Sequence, residues 1–263
     1  MELFENLTDW RSRFARWRGN DDLKDYPFVT NKRSPFTPLN RALPLLNLAL
    51  ISSAGAFIDG TNPFDAAARG GDFTFREVPI EVEGEDLQFS ARGYDPAAVR
   101  TDLNVQIPIQ RLLEYEANGV IGQLNPVWWS FAGFAPDAAS VAENLAPQIA
   151  ERVRRYEVQA ALIIPASRLC HQSCGILART IEAAGIPTMM LAVERSIVDL
   201  VHPPRVGFYR GEFGQVAGKP NFKEHQLRIL DEALRSIESL DQPTVRPLGV
   251  TLESAVEEMR GER

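Results

Sequence analysis

Histidine and cysteine are scarce in this chain, with three of the first and two of the second among 263 residues. Two cysteines, Cys170 and Cys174, cannot build the multi-bridge framework of a small secreted domain, so reduced thiols and a cytoplasmic location are expected. Metal ligands are equally few. Cys170, His171 and Cys174 cluster, but only His202 and His225 remain as further imidazoles to complete a four-ligand structural site, and no metal is expected. No apolar run approaches the roughly 20 residues that cross a bilayer, and Met1-Glu2-Leu3-Phe4-Glu5-Asn6 lacks the basic-then-apolar order of a signal peptide. No membrane association is therefore expected. Basic charge is also in deficit, 28 Lys and Arg against 35 Asp and Glu for a net charge of −7, which argues against nucleic acid as a partner. Walker A, Gly-x-Gly-x-x-Gly and Gly-x-Ser-x-Gly motifs are absent from the sequence, so nucleotide and serine-hydrolase readings lose their usual support, and no cofactor is expected.

What is present is an ordinary globular composition, 44% hydrophobic and 24% charged, sufficient for one large core. Residues 1–40 read as an N-terminal helix and an extended lead-in, and residues 41–263 as a single α/β domain. Trp10, Phe14 and Trp17 form one apolar helical stripe among Arg11, Arg13, Arg16 and Arg18. Such a stripe docks on the chain's own body, on a second copy, or on a membrane or partner surface. Together with the pair Trp128-Trp129 it raises the expectation of a homo-oligomer, although both features also have intramolecular explanations.

The rest alternates strand-like and helix-like segments. Continuous apolar stretches near 46–53, 120–124, 160–165 and 188–193 predict central strands covered on both faces. Helical periodicity marks 108–118, 138–156, the segment after Cys170, and 222–240, with a short extended piece and a frayed helix after Asp241. Phe73–Pro79 and Leu87–Ser90 read as less buried strands. The expected fold is a three-layer α/β sandwich with a mainly parallel sheet, of the flavodoxin-like, doubly wound type.

In an open parallel sheet, ligands gather beyond the carboxyl ends of the strands. The segment Pro165-Ala166-Ser167-Arg168-Leu169-Cys170-His171-Gln172-Ser173-Cys174-Gly175 falls there, and a helix starting near Gln172 would favour thiolate over thiol at Cys170. Cys170 is expected to be the more acidic and accessible thiol, with a protonated His171 adding to the effect. Cys174, a turn inside, reads equally well as packing. Ser52, Ser53, Arg76, Arg111 and Asn104 are further candidates for holding a small substrate. Against them stand bland readings: Asp102 and Asn104 as helix caps, and the arginines as surface ion-pair partners.

At this point the ordered residues match a known family. Pro35-Phe36-Thr37-Pro38-Leu39, Leu48 to Gly55, Gly71 to Pro79, Tyr94-Asp95, Asp102-Leu103-Asn104 with Pro108 and Arg111-Leu112, Gly119-Val120-Ile121-Gly122, Ser130-Phe131-Ala132-Gly133, Cys170-His171-Gln172-Ser173 and Gly185-Ile186-Pro187-Thr188 resemble the selenoprotein B family of glycine, sarcosine, betaine and D-proline reductases. The likeness runs from about residue 35 to 235 and is greatest to stand-alone relatives. It implies a selenocysteine, or a cysteine in its place, three positions before a resolving cysteine. On this chain Ser167 takes the selenocysteine position and Cys170 the resolving one. A serine hydroxyl cannot form a disulfide or selenenyl sulfide and is a weak nucleophile without an activating base. Cys170 used differently, a catalytically silent relative, and a serine standing in for selenocysteine all remain open.

The resemblance thus implies an oxidoreductase component acting through positions 167 and 170 on a small amine, amino acid or related carboxylate. Catalytic candidates are Ser167, Cys170 and His171; substrate-binding candidates are Gln172, Ser52, Ser53, Arg76 and Asn104; the electron donor would be a thiol protein. The competing reading is a non-catalytic binding protein or partner subunit that has lost the redox pair. A two-cysteine racemase is disfavoured, because such enzymes place one thiol on each of two lobes.

Overall fold

The central strand is β1 (Asn47–Ser52), in which every residue after Asn47 is buried, and its side chains divide by alternation. Ala49 and Ile51 enter one apolar cluster, while Leu48 and Leu50 enter another on the opposite face. A strand so covered needs a helical layer on each side, and that requirement fixes the three-layer architecture. The structure is a computed structural model and describes residues 3–250.

Helix α1 (Leu7–Arg16) precedes β1, and the antiparallel ribbon of β2 (Ala56–Ile58) and β4 (Leu87–Phe89) follows it, with β3 (Phe75–Pro79) between them in sequence. Helices α2 (Ala97–Thr101) and α3 (Ile109–Ala117) lead to β5 (Gln123–Leu124) and β6 (Val127–Phe131). Then come α4 (Ala138–Ser140), α5 (Ala146–Arg155), β7 (Ala160–Ile164), α6 (Arg168–Ala183), β8 (Thr188–Ala192), α7 (Arg195–Val201), β9 (Arg205–Phe208), α8 (Lys223–Ser239) and β10 (Thr244–Pro247). The main sheet has the order β10-β9-β8-β7-β1-β6-β3, with β5 beside the start of β1. Among the described residues, all its pairings are parallel except β3 with β6. Helices α5, α6 and α7 cover one face with α1, and α3 and α8 cover the other.

Three expectations need correction. The stretch 120–124 supplies only the two-residue β5 at the start of β1, and the end of β1 on that side pairs with β6, which carries Trp128 and Trp129. Trp128 and Trp129 are fully buried on opposite faces of the sheet, so they offer no surface to a second copy. The helix across 138–156 is broken by a π turn at Val141–Leu145. Pro147 lacks the N–H that would bond to the carbonyl of Glu143, and its ring crowds that turn.

The aromatic stripe of α1 docks on the chain's own body, with Trp10 and Trp17 buried. The frayed helix expected at the C-terminus falls on residues 251–263, outside the described residues. Among the described residues, no helix is long and apolar enough to cross a membrane.

Candidate active site

The chain passes from β1 to β6 on one side and then returns to β7 on the other, so the strand order reverses between β1 and β7. Loops leaving adjacent strands in opposite directions open a crevice at such a switch point. Ser53 leaves β1 there and Ser167 leaves β7.

Ser167 is the N-cap of α6, with an extended backbone (φ −135°, ψ 177°). Its Oγ accepts a hydrogen bond from the Cys170 N–H at 3.2 Å, and its hydroxyl donates to Cys170 Sγ at 3.0 Å. The helix therefore begins at Arg168 rather than near Gln172, which puts Cys170 in its first turn instead of in a loop. Ser53 completes the floor: its Oγ accepts from the Ala166 N–H at 3.0 Å and its carbonyl lies 3.9 Å from Cys170 Sγ.

The electrostatics differ from the expectation. Cys170 is 1% exposed and Cys174 fully buried. Burial pushes the Cys170 thiol up, outweighing the hydrogen bonds from Ser167, Ser53 and the helix start. Burial pushes Cys174 further, so the order of acidity is as expected while the absolute direction is reversed. His171 is not a protonated neighbour either. Burial lowers its imidazole to about 4. Its Nδ1 lies 2.7 Å from the Ser167 carbonyl and its Nε2 lies 3.1 Å from the Val193 N–H. In a neutral ring that geometry makes Nδ1–H the donor and Nε2 the acceptor, so both nitrogens are engaged with backbone.

A narrow crevice runs beside this cluster, lined by Ser53, Ala54, Asp65, Asp72, Ser90, Arg92, Tyr94, Gly133 and Phe134, among others. A Cβ added to Gly133 would sit 2.9 Å from Cys170 Sγ, and one added to Gly93 would sit 3.3 Å from Ser167 Oγ. Only glycine lets these two loops lie so close to the pair. Tyr94 closes the crevice, its hydroxyl donating to the Ala54 carbonyl at 2.6 Å.

Ser167, Cys170 and Ser53 are thus brought together. Ser52 lies beside them, donating to the Gln106 carbonyl at 3.2 Å. Gln172 faces the lead-in, accepting from the Val29 N–H at 2.9 Å and donating to the Tyr26 hydroxyl at 2.8 Å. Arg76 stacks on Phe64 and lines a separate hollow with Glu77 and Arg152. Asn104 lines a third hollow with Arg111, and Asp102 caps its N–H as the bland reading expects. A much larger hollow among Arg13, Arg16, Trp17 and Lys24 shares no residue with the crevice and holds no thiol. Size does not select the site here. Arg92, Tyr94, Gly133 and Phe134 are not among the site residues that the sequence predicts. The signal available for them is a glycine beside an aromatic residue in the segments Gly93-Tyr94 and Gly133-Phe134. Among the described residues, no group of three His, Cys, Asp or Glu side chains gathers as a metal site.

The family described as glycine/sarcosine/betaine reductase selenoprotein B (GRDB) matches residues 16–166, ending one residue before Ser167. The D-proline reductase subunit gamma of Acetoanaerobium sticklandii is 31% identical over 202 residues, covering 77% of this chain and 82% of that protein. The glycine reductase complex component B subunit gamma of Symbiobacterium thermophilum is 28% identical over 176 residues, 65% of this chain and 40% of that protein. The betaine reductase complex component B subunit beta of Peptoclostridium acidaminophilum is 27% identical over 110 residues, 42% of this chain and 25% of that protein. The chain therefore spans most of the D-proline reductase subunit but well under half of these glycine and betaine reductase subunits. No solved structure matches. With more than half of its length matched by the family and a relative above 30% identity along most of both chains, this protein belongs to the glycine/sarcosine/betaine reductase selenoprotein B family.

Proposed function

We propose that this chain is a cytoplasmic, selenoprotein B-like reductase component whose reacting centre is the pair of positions 167 and 170. Its substrate class is a small amine, amino acid or related carboxylate, and its electrons come from a thiol protein. The observation that carries the reading is the 3.0 Å contact between Ser167 Oγ and Cys170 Sγ, buried beneath the Ser53 and Gly133 wall of a switch-point crevice. A sulfur at position 167 would start from a contact only about 1 Å longer than the disulfide bond length of about 2.05 Å. A second reading, a partner subunit that has lost the redox pair, draws on the serine itself and on the burial that pushes both thiols up.

The Ser167→Cys variant separates the two. Two thiols closing to a disulfide release two electrons and two protons, the currency of a two-electron reduction. Mild oxidation followed by peptide mapping should yield a 167–170 bridge. The reduced variant should then consume dithiothreitol in the presence of glycine, sarcosine, betaine or D-proline, and Cys170→Ala in that background should abolish the consumption. A bridge without turnover favours the partner-subunit reading. A 170–174 bridge, or none, removes the redox loop altogether.

A further inference from the structure

Among the described residues, Arg92 is the only cation lining the crevice beside Cys170. Its guanidinium lies over the Phe134 ring, 4.5 Å from the centroid, and Nη1 donates to the Ala68 carbonyl at 2.9 Å. The two acids of the crevice wall do not serve it. Asp65 accepts from the Ala67 and Ala68 N–H groups, and Asp72 from the Asp65 and Thr74 N–H groups and the Thr74 hydroxyl. The remaining edge of the guanidinium, Nε and Nη2, is gripped by Asp21 at 2.7–3.1 Å. That is the two-pronged geometry in which arginine takes a carboxylate.

Asp21 does not belong to the crevice. It comes from the lead-in, and its side chain is 55% exposed where that of Arg92 is 18% exposed. Its turn is secured on either side, by the Leu23 N–H bonding to the Asn20 carbonyl and by the buried Leu23 and Tyr26 side chains. Leu23 and Asp25 both hold left-handed backbone, φ 55° and 56°, a conformation that persists in non-glycine residues only where surrounding contacts impose it. An exposed carboxylate on a mostly buried guanidinium contributes little stability, because water competes for its outer face. The guanidinium, stacked and oriented in the crevice, still requires an anion.

We infer that Arg92 is the carboxylate-binding residue of the crevice and that Asp21, carried on the N-terminal lead-in, holds its place as an internal carboxylate that a small carboxylate ligand displaces. The inference rests on the proposed function and deepens it by naming the residue at the crevice wall that would hold the carboxylate of such a substrate. Its own test needs no turnover.

The probe is propionate, with propionamide as its uncharged counterpart, titrated into protein labelled with nitrogen-15 and read at the Nε–H resonance of Arg92, which is assigned through Arg92→Lys. Propionate should shift that resonance saturably and propionamide should not. Asp21→Asn, a substitution at an exposed side chain, should tighten propionate about threefold, the fold-change of one exposed ion pair. Equal responses to acid and amide, no response to either, or an affinity unchanged by Asp21→Asn would each overturn the inference. Propionate binding with no 167–170 bridge in Ser167→Cys leaves this site standing while the redox reading falls. The bridge without propionate binding does the reverse.

Discussion

At the scale of single residues, burial outweighs the helix terminus. Cys170 occupies the first turn of α6 and receives hydrogen bonds that favour a thiolate, yet its thiol is pushed up because no water reaches it. His171 shows the same force with a sign that can be measured. Its folded imidazole is lowered from 6.5 to about 4, so between those values the unfolded chain takes up a proton that the fold refuses. The stability tied to a neutral His171 is full above pH 6.5 and is lost as pH falls toward 4. Each tenfold fall in proton affinity is worth about 1.36 kcal/mol, so the whole effect is about 3 kcal/mol. Urea unfolding of the parent and His171→Asn proteins at pH 7 and at pH 4 checks it. The parent should lose about 3 kcal/mol more than the variant on acidification, and parallel losses would show that the ring is not held neutral by the fold.

At the scale of elements, the strands covered on both faces are legible in the sequence and the irregular connections less so. The runs 46–53, 160–165 and 188–193 are continuous apolar stretches, and all three are strands of the main sheet. The stretch 120–124 fails as a central strand because Gly122 interrupts it, while Val127–Phe131, rich in aromatic residues, pairs with the end of β1. The start of α6 lies earlier than expected for a simple reason. A serine cap announces a helix, and with Ser167 in that role the backbone at Cys170 and His171 is already helical. Of the candidate site, the place of Cys170 after an apolar strand is readable from the order of the elements, whereas Ser167 enters only through the family resemblance. The site is not legible at Arg92, Tyr94 and Gly133, whose approach depends on how three separate connections fold over one another. Gly133 tests that closure, because a Cβ there would meet Ser53 Cβ at 2.5 Å and Cys170 Sγ at 2.9 Å. Gly133→Ala should cost about 1–3 kcal/mol, as overpacked sites do. Denaturant titration would measure that cost. An unchanged midpoint would mean that the loop after β6 yields freely and that the crevice is looser than its contacts imply.

Across the whole molecule, the lead-in is tied to the body from one end of α6 to the other. Near the start of α6, Gln172 holds Val29 and Tyr26, whose hydroxyl also donates to the Pro136 carbonyl at 2.7 Å. Near its end, Glu182 accepts from the Thr37 N–H and hydroxyl at 2.6 Å, through its carboxylate and its carbonyl respectively. Arg205, at the start of β9, pairs with that carboxylate, donates to the Thr37 carbonyl at 2.7 Å and lies 3.8 Å from the centroid of the Phe36 ring. Both charged side chains are fully buried. Burial pushes the Glu182 carboxyl up, and Arg205 with the Thr188 and Thr37 N–H groups opposes that rise. Taking away one partner leaves the other charge in the interior without compensation, whereas replacing both by apolar groups removes the desolvation cost as well. Arg205→Met should therefore destabilise the protein by about 3–5 kcal/mol, and Glu182→Leu combined with Arg205→Met should recover part of that loss. Because Thr37 and Phe36 bind through this pair, the single variant should also release the lead-in, read as faster protease cleavage between residues 31 and 41 than in the parent protein. Equal stability of single and double variants would mean that the pair acts only by filling space. Unchanged cleavage would mean that the contacts of Gln172 hold the lead-in without it.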